Sequence, residues 1–186
     1  RVLFRSMDHG FGHGNNLFYI ASLGYKGYGC EISEHLIKTV NDISVKSDAD
    51  LDLRLIKDLK LPFDDNFFDI IVSWDVLHYN GTKKDVEFTI NEFKRILKPN
   101  GVVLLSTVHP ESSIFDRVEH IGDHSYYIYL ESQYDNRKGL TFYIAQNDQE
   151  IKDLFSGFKD TIVGKYGYNL FNNKKRHAAY LVYAVK

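Results

Sequence analysis

Met7-Asp8-His9-Gly10-Phe11-Gly12-His13-Gly14 sets three alternating glycines behind a carboxylate, between a short apolar run, Val2-Leu3-Phe4, and a helical one over residues 17–23. Read together these are a strand, a glycine-rich turn and a helix, an arrangement that brings bare backbone N–H groups and a helix N-terminus against a ligand. Glycine suits the turn because a Cβ would block both its dihedral angles and the close approach. Such turns also occur with no ligand, so this one takes its meaning from the next strand. Tyr28-Gly29-Cys30 reads as that strand and ends on Glu31. An acidic residue about 20 positions beyond the glycines is where a ribose diol is held; a solvated strand end is the plainer alternative.

Outward from that unit, strands and helices alternate. Asn15-Asn16 can cap a helix carrying Leu17, Ile20, Ala21 and Leu23, which Gly24 and Gly27 break. Residues 28–32 form a second strand, Ser33 opens a helix with Leu36, Ile37 and Val40 on one face, and the polar residues 41–50 read as a loop. Residues 51–56 alternate as a third strand. Pro62 and Asp64-Asp65-Asn66 are turn chemistry, and residues 68–74 are a near-continuous apolar run, the signature of a central parallel strand covered on both faces. Thr82 and Asp85 predict a capping box for a helix carrying Val86, Ile90, Phe93 and Leu97 that stops at Pro99-Asn100-Gly101; residues 102–108 are a fifth strand. The alternation predicts a doubly wound, mostly parallel α/β sheet. Residues 109–146 break the rhythm, polar and aromatic with Tyr126, Tyr127, Tyr129, Tyr134, Phe142 and Tyr143 but no helical period. Asn147 and Glu150 can cap a last helix with Ile151, Leu154, Phe155 and Phe158. Two strand-like runs, 160–168 and 177–185, joined by Asn172-Asn173-Lys174-Lys175, then predict a hairpin.

The set Asp8-x-Gly10-x-Gly12-x-Gly14, Glu31, Leu61-Pro62-Phe63-Asp64-Asp65-Asn66-Phe67-Phe68-Asp69, Ser73-Trp74-Asp75-Val76-Leu77-His78 and Leu97-Lys98-Pro99-Asn100-Gly101 resembles the class I S-adenosylmethionine-dependent methyltransferases, in particular the ubiquinone/menaquinone-biosynthesis type. The resemblance spans about residues 7–108 and implies a Rossmann-like, seven-stranded sheet closed by the antiparallel hairpin. It implies S-adenosylmethionine as cofactor, S-adenosylhomocysteine as product and a small-molecule acceptor methylated on O, N or C. By the same likeness Gly10 and Gly12 face the methionine and ribose portion, with Gly14 in the same turn. Asp8 would accept from nearby backbone or, through water, from the cofactor's amino group, and Glu31 with Ile32 would hold the ribose. Asp58 and the Leu59 backbone N–H would meet the adenine, although the family usually carries that Asp one position earlier, where Lys57 stands. The resemblance also makes residues 109–146 an acceptor-recognition insertion within one methyltransferase domain over 1–186.

Ser73, Trp74, Asp75 and His78 fall at the end of the fourth strand, where open α/β sheets bind ligands. Ser73 and Trp74 are expected to line the methionine end, with packing as the alternative for Trp74. If the acceptor must lose a proton, Asp75, His78 and His109 are the candidate bases. His109, Glu111, Asp116, Glu119, His120, Asp123 and His124 have metal-ligand chemistry but no recurring metal spacing, so no metal is expected. His9 and His13 read as solvent-side loop residues.

The 186 residues fit one domain, and a net charge of -2 offers no broad basic face to nucleic acid. The one cysteine, Cys30, sits in an apolar strand pattern, as in a reduced compartment, and no run suits a membrane span. A cytoplasmic protein without membrane or nucleic-acid partners is expected; nothing sets its oligomeric state. The chain starts at Arg1, and Arg1-Val2-Leu3-Phe4-Arg5-Ser6 reads like a translated adapter end. That implies a truncated frame whose first six residues are non-native and occupy most of the first strand. Two other readings stay open: a fragment that binds cofactor without turnover, and a nucleotide-cofactor oxidoreductase, which calls for the wider Gly-x-Gly-x-x-Gly spacing. An RNA methyltransferase fits the near-neutral charge poorly.

Overall fold

The computed structural model describes residues 4–113, 118–129, 139–170 and 175–186. Its strands are β1 (Ser6–His9), β2 (Gly27–Glu31), β3 (Leu51–Leu55), β4 (Phe68–Trp74), β5 (Leu97–Val108), β6 (Val118–Gly122), β7 (Ser125–Ile128), β8 (Thr141–Tyr143), β9 (Asp160–Leu170) and β10 (Lys175–Val185). The helices are α1 (Asn15–Ser22), α2 (Glu34–Ser47), α3 (Lys83–Ile96) and α4 (Asp148–Leu154), with a 3-10 turn over Leu77–Asn80. Seven strands form one sheet in the order β3-β2-β1-β4-β5-β10-β9. Pairs from β3 through β5 are parallel, while β10 runs antiparallel to both β5 and β9. That is the doubly wound sheet closed by an antiparallel hairpin.

The pattern of burial explains the layers. β1 is an interior strand, between β2 and β4, with every residue buried. On one face Met7, Ile71, Val103, Leu105 and Val182 pack against Val86, Ile90 and Phe93 of α3 and Ile151 of α4, each fully buried aliphatic side chain contributing roughly 1.5–3 kcal/mol. On the other, Phe11, Leu17 and Val40 cover Leu51 and Leu53. α3 begins where its cap places it: the Asp85 carboxylate accepts from the Thr82 N–H at 2.8 Å. Arg95, near its end, explains the Leu61-Pro62-Phe63 motif. Its guanidinium donates to the Leu61 carbonyl (2.9 Å), the Phe63 carbonyl (2.8 Å) and Asp65 (2.7 Å), while Glu92 takes the remaining N–H groups and the Leu61 N–H. The motif is thus a turn clamped onto α3.

Two expectations are corrected. Residues 41–47 are helix, not loop: α2 runs to Ser47, with Ser44 buried and its hydroxyl on the Asn41 carbonyl. Of the foreign-looking residues, Ser6 is the first of the four in β1 and pairs with Ile70, and the Arg5 carbonyl accepts from Asp69 N and Ile70 N, so they begin the first strand rather than occupy most of it; Arg1, Val2 and Leu3 lie outside the described residues. Beyond β5 the aromatic stretch without helical period contributes β6, β7 and β8, which form a three-stranded sheet. Tyr126 stacks on Phe142, and the cluster around Ile128, Phe142 and Ile144 seats it on Tyr79 of the 3-10 turn. Tyr134 is outside the described residues, as are Asn172, Asn173 and Lys174 of the hairpin connection. Among the described residues no helix is long and apolar enough to cross a membrane.

Candidate cofactor and acceptor site

The glycine turn leaves β1 with φ of +67° at Gly10, +54° at Gly12 and +79° at Gly14, the left-handed region that side-chain-bearing residues resist. The Gly10 N–H donates to the Cys30 carbonyl at 2.8 Å, stitching the turn to β2, and the Gly14 N–H closes it on the Phe11 carbonyl at 2.8 Å. A Cβ on Gly10 would stand 2.5 Å from Val76 Cγ1, so the chain leaving β4 is packed on the turn; a Cβ on Gly12 would meet nothing within 4 Å. Gly10→Ala is therefore expected to cost about 2–4 kcal/mol in urea unfolding and Gly12→Ala about 1 kcal/mol. Equal losses would mean that Val76 does not pack there.

Glu31 ends β2 facing this turn. One carboxylate oxygen accepts from Gly12 N at 3.1 Å, and the other from Ile32 N at 2.8 Å and Ser33 N at 3.3 Å. Asp8, at the end of β1, is 3% exposed, and burial pushes its carboxyl up to about 7, with Glu31 adding to the rise and a hydrogen bond from Asn16 opposing it. His9 is not at the solvent side, as its sequence context implied: it is 3% exposed, its Nδ1 lies 3.0 Å from Ser73 Oγ, and its ring meets the edge of Phe93. Burial lowers its pKa to about 4, which keeps it neutral. His13 is exposed, as expected.

The Ser73-Trp74-Asp75-Val76 stretch carries the other half of the site. Ser73 is buried, Trp74 is 44% exposed and Asp75 sits at φ +54°. Ser106 Oγ accepts from Asp75 N and donates to Asp75 Oδ1, both at 2.8 Å, which holds that unusual backbone. Ile32, beside Glu31, is exposed. Asp58 is exposed and Leu59 half-buried in the chain after β3, which is tied to Glu31 by the bond from Ile56 N to the Glu31 carbonyl (2.8 Å). The three candidate bases have separate surroundings. His78 is buried, with Nδ1 3.3 Å from Thr107 Oγ1 and its ring 4.1 Å from Tyr79. His109 packs on Tyr180 at 4.5 Å, has its pKa lowered by burial, and lines a cavity of about 230 Å³ with Glu111, Lys165 and Arg176. Among the described residues no three metal-ligating side chains converge. His124 instead bonds Glu150 at 2.9 Å, and Asp116 lies outside the described residues. Sequence reasoning missed Ser106, Tyr166 and His177, which stand beside Asp75 only after β5, β9 and β10 are assembled.

A carboxylate at the end of β2, a glycine turn and a buried carboxyl on β1, on a sheet ending in an antiparallel pair, are the arrangement of the class I S-adenosylmethionine-dependent methyltransferase fold. A family model described as "Methyltransferase domain" matches residues 7–105, and the chain belongs to that family. It is 29% identical over 127 residues to the Bacillus subtilis (strain 168) protein named "Putative methyltransferase YqeM", covering 63% of this chain and 51% of that one. Over 100 residues it is 32% identical to the Arabidopsis thaliana tRNA (carboxymethyluridine(34)-5-O)-methyltransferase, covering 54% of this chain and 23% of that one. The chain thus spans about half and about a quarter of these relatives. The fold matches the crystal structure of an S-adenosylmethionine-dependent methyltransferase from Methanosarcina mazei with a TM-score of 0.76 at 18% identity, covering 98% of this chain and 92% of that one. S-adenosylmethionine is the cofactor of this class, and the residues fit it. The space in front of Gly12 that a Cβ would begin to fill is bordered by a carboxylate able to accept from a diol, beside a buried acid suited to a cation.

Proposed function

We propose that the chain transfers a methyl group from S-adenosylmethionine to a small-molecule acceptor. The observation that carries this reading is the Glu31 carboxylate bonded to the Gly12 N–H at 3.1 Å, beside the space where a Gly12 Cβ would meet nothing within 4 Å. When bound, the cofactor supplies an electrophilic methyl carbon whose leaving group is a neutral thioether. The chain's part is binding and alignment. Glu31 and Ile32 take the ribose, the main chain from Gly10 to Gly14 lies along the ribose and methionine portion, and Asp8 faces the amino group. Asp58 and the Leu59 N–H approach the adenine edge, and the Ser73 backbone and the Trp74 ring line the methionine end. In one domain over residues 1–186, the insertion over 109–146 serves acceptor recognition. The half-exposed Tyr127 of β7 and Tyr129 just beyond it support that, whereas Tyr126, Phe142 and Tyr143 are packing residues.

A net charge of -2 favours a small molecule over RNA, and the buried Cys30 suits the cytoplasm. Calorimetry should give micromolar S-adenosylhomocysteine binding and no NADH binding. Incubation of a metabolite extract and total RNA with methyl-labelled S-adenosylmethionine should then put label into the small-molecule fraction. NADH binding in place of S-adenosylhomocysteine would replace this reading with an oxidoreductase. Binding without label in either fraction would leave a non-catalytic module, and label in RNA would move the acceptor class.

A further inference from the structure

Trp74, at the end of β4, and Tyr166, on β9, lean toward each other over two small residues, Ser106 of β5 and Ala179 of β10. Strand register puts all four on one face of the sheet, through the pairs Trp74 with Ser106, Val108 with Ala179, and Ala179 with Tyr166. The Trp74 and Tyr166 rings stand 6.2 Å apart and within 20° of parallel. His177 continues the row, 5.7 Å from Tyr166 and 5.0 Å from Tyr168, within 27° of parallel to the latter. This ridge is partly open, with Trp74 44% and Tyr168 52% exposed. It adjoins the cofactor crevice, because Val76, one residue beyond Asp75, is the side chain packed on Gly10.

Two polar atoms face each other at the ridge. Asp75 Oδ1 is occupied by the Ser106 hydroxyl, which also bonds Tyr166. Asp75 Oδ2 points toward His177 Nε2 at 3.9 Å, too far for a hydrogen bond between them. An oxygen or nitrogen seated over that gap reaches each at roughly 2.8 Å. We propose that Trp74, Tyr166, Asp75 and His177 form the acceptor subsite, which takes a planar π-bearing group by stacking and holds its O–H or N–H between Asp75 Oδ2 and His177 Nε2. Near-parallel rings favour a flat partner; a quaternary or alkyl cation is held better by walls set at steep angles to one another. The subsite rests on the methyltransferase reading and deepens it.

Trp74 is the only tryptophan, so its emission reports the subsite. With the full chain saturated by S-adenosylhomocysteine, phenol should quench that emission with an affinity about tenfold above cyclohexanol or tetramethylammonium. It should also bind about fivefold above anisole, which keeps the ring and loses the O–H. Tyr166→Leu should weaken phenol and anisole alike. His177→Phe, which keeps a stacking ring without the nitrogens, should roughly halve the preference for phenol over anisole, Asp75 Oδ2 still accepting the phenol O–H. Unchanged S-adenosylhomocysteine affinity in both variants shows that they fold and retain the cofactor site. The proposal is overturned if phenol binds no better than cyclohexanol, if tetramethylammonium binds best, or if the preference for phenol over anisole is unchanged in His177→Phe. If a variant does not fold, the wild-type probe series still decides. Failure of the wild type to bind S-adenosylhomocysteine would instead remove the methyltransferase reading itself.

Discussion

Glu31→Ala is expected to weaken S-adenosylhomocysteine binding by about 10²–10³-fold while leaving the protein folded. A diol held by a carboxylate makes two charge-assisted hydrogen bonds, together worth about 3–5 kcal/mol when the partner is lost. The Glu31 carboxylate already accepts three backbone N–H groups, from Gly12, Ile32 and Ser33. Two oxygens offer about four lone-pair positions, so a diol that needs two must share Oε2 with the Gly12 N–H and displace the longest bond, from Ser33 N at 3.3 Å. Glu31→Gln, with one amide oxygen in place of the carboxylate, should fall between the two, about tenfold weaker than wild type. Calorimetry with S-adenosylhomocysteine measures all three proteins, and circular dichroism confirms that the alanine variant is folded. An alanine variant within threefold of wild type would place the ribose elsewhere.

The half of the site built from one βαβ unit was legible because its signals are local. Asp8, the three glycines and Glu31 lie within 24 residues, and the turn's positive φ values demand the residue type that is written there. Where the legibility ran out, the cause is physical. The last turns of α2 carry their apolar side chains outward, with Ile43 43% and Val45 79% exposed, so the helical period that should mark residues 41–47 is not on the buried face. The strands of the small sheet are only 3–5 residues long and pair with one another through a tight Gly122-Asp123-His124 turn, too short for alternation to stand out. The Trp74 ridge has no local signature at all. Its members come from β4, β5, β9 and β10, and their shared face exists only because Ser106 and Ala179 are small enough for two rings to cross them. His9 failed for a related reason: a histidine between glycines looks solvated, but β1 is an interior strand and Ser73 meets it from the next strand.

Asp8→Asn is expected to stabilise the cofactor-free protein at pH 8 and to remove a pH dependence of cofactor binding. Asp8 has its carboxyl raised from 3.8 to about 7, first by burial and then by the charge of Glu31. A carboxyl whose folded value lies above its unfolded value contributes stability that is fully present below pH 4 and lost as the pH rises through 7. The loss for a rise of this size approaches about 4 kcal/mol, and an isosteric amide that cannot ionise should recover about 2–4 kcal/mol of it at pH 8. Denaturant unfolding from pH 4 to 8 should therefore show a steeper decline for wild type than for Asp8→Asn. A ligand carrying an ammonium group toward Asp8 favours its ionised form, so below pH 7 binding must release a proton. Affinity for S-adenosylhomocysteine should fall about tenfold from pH 8 to 6 in wild type, with calorimetric heats at pH 6 that depend on the buffer's ionisation enthalpy. Asp8→Asn should bind more weakly at pH 8 and show neither effect. Buffer-independent heats at pH 6, or parallel unfolding curves for the two proteins, would mean that Asp8 is ionised in the cofactor-free site and that its burial costs far less than its place on β1 implies.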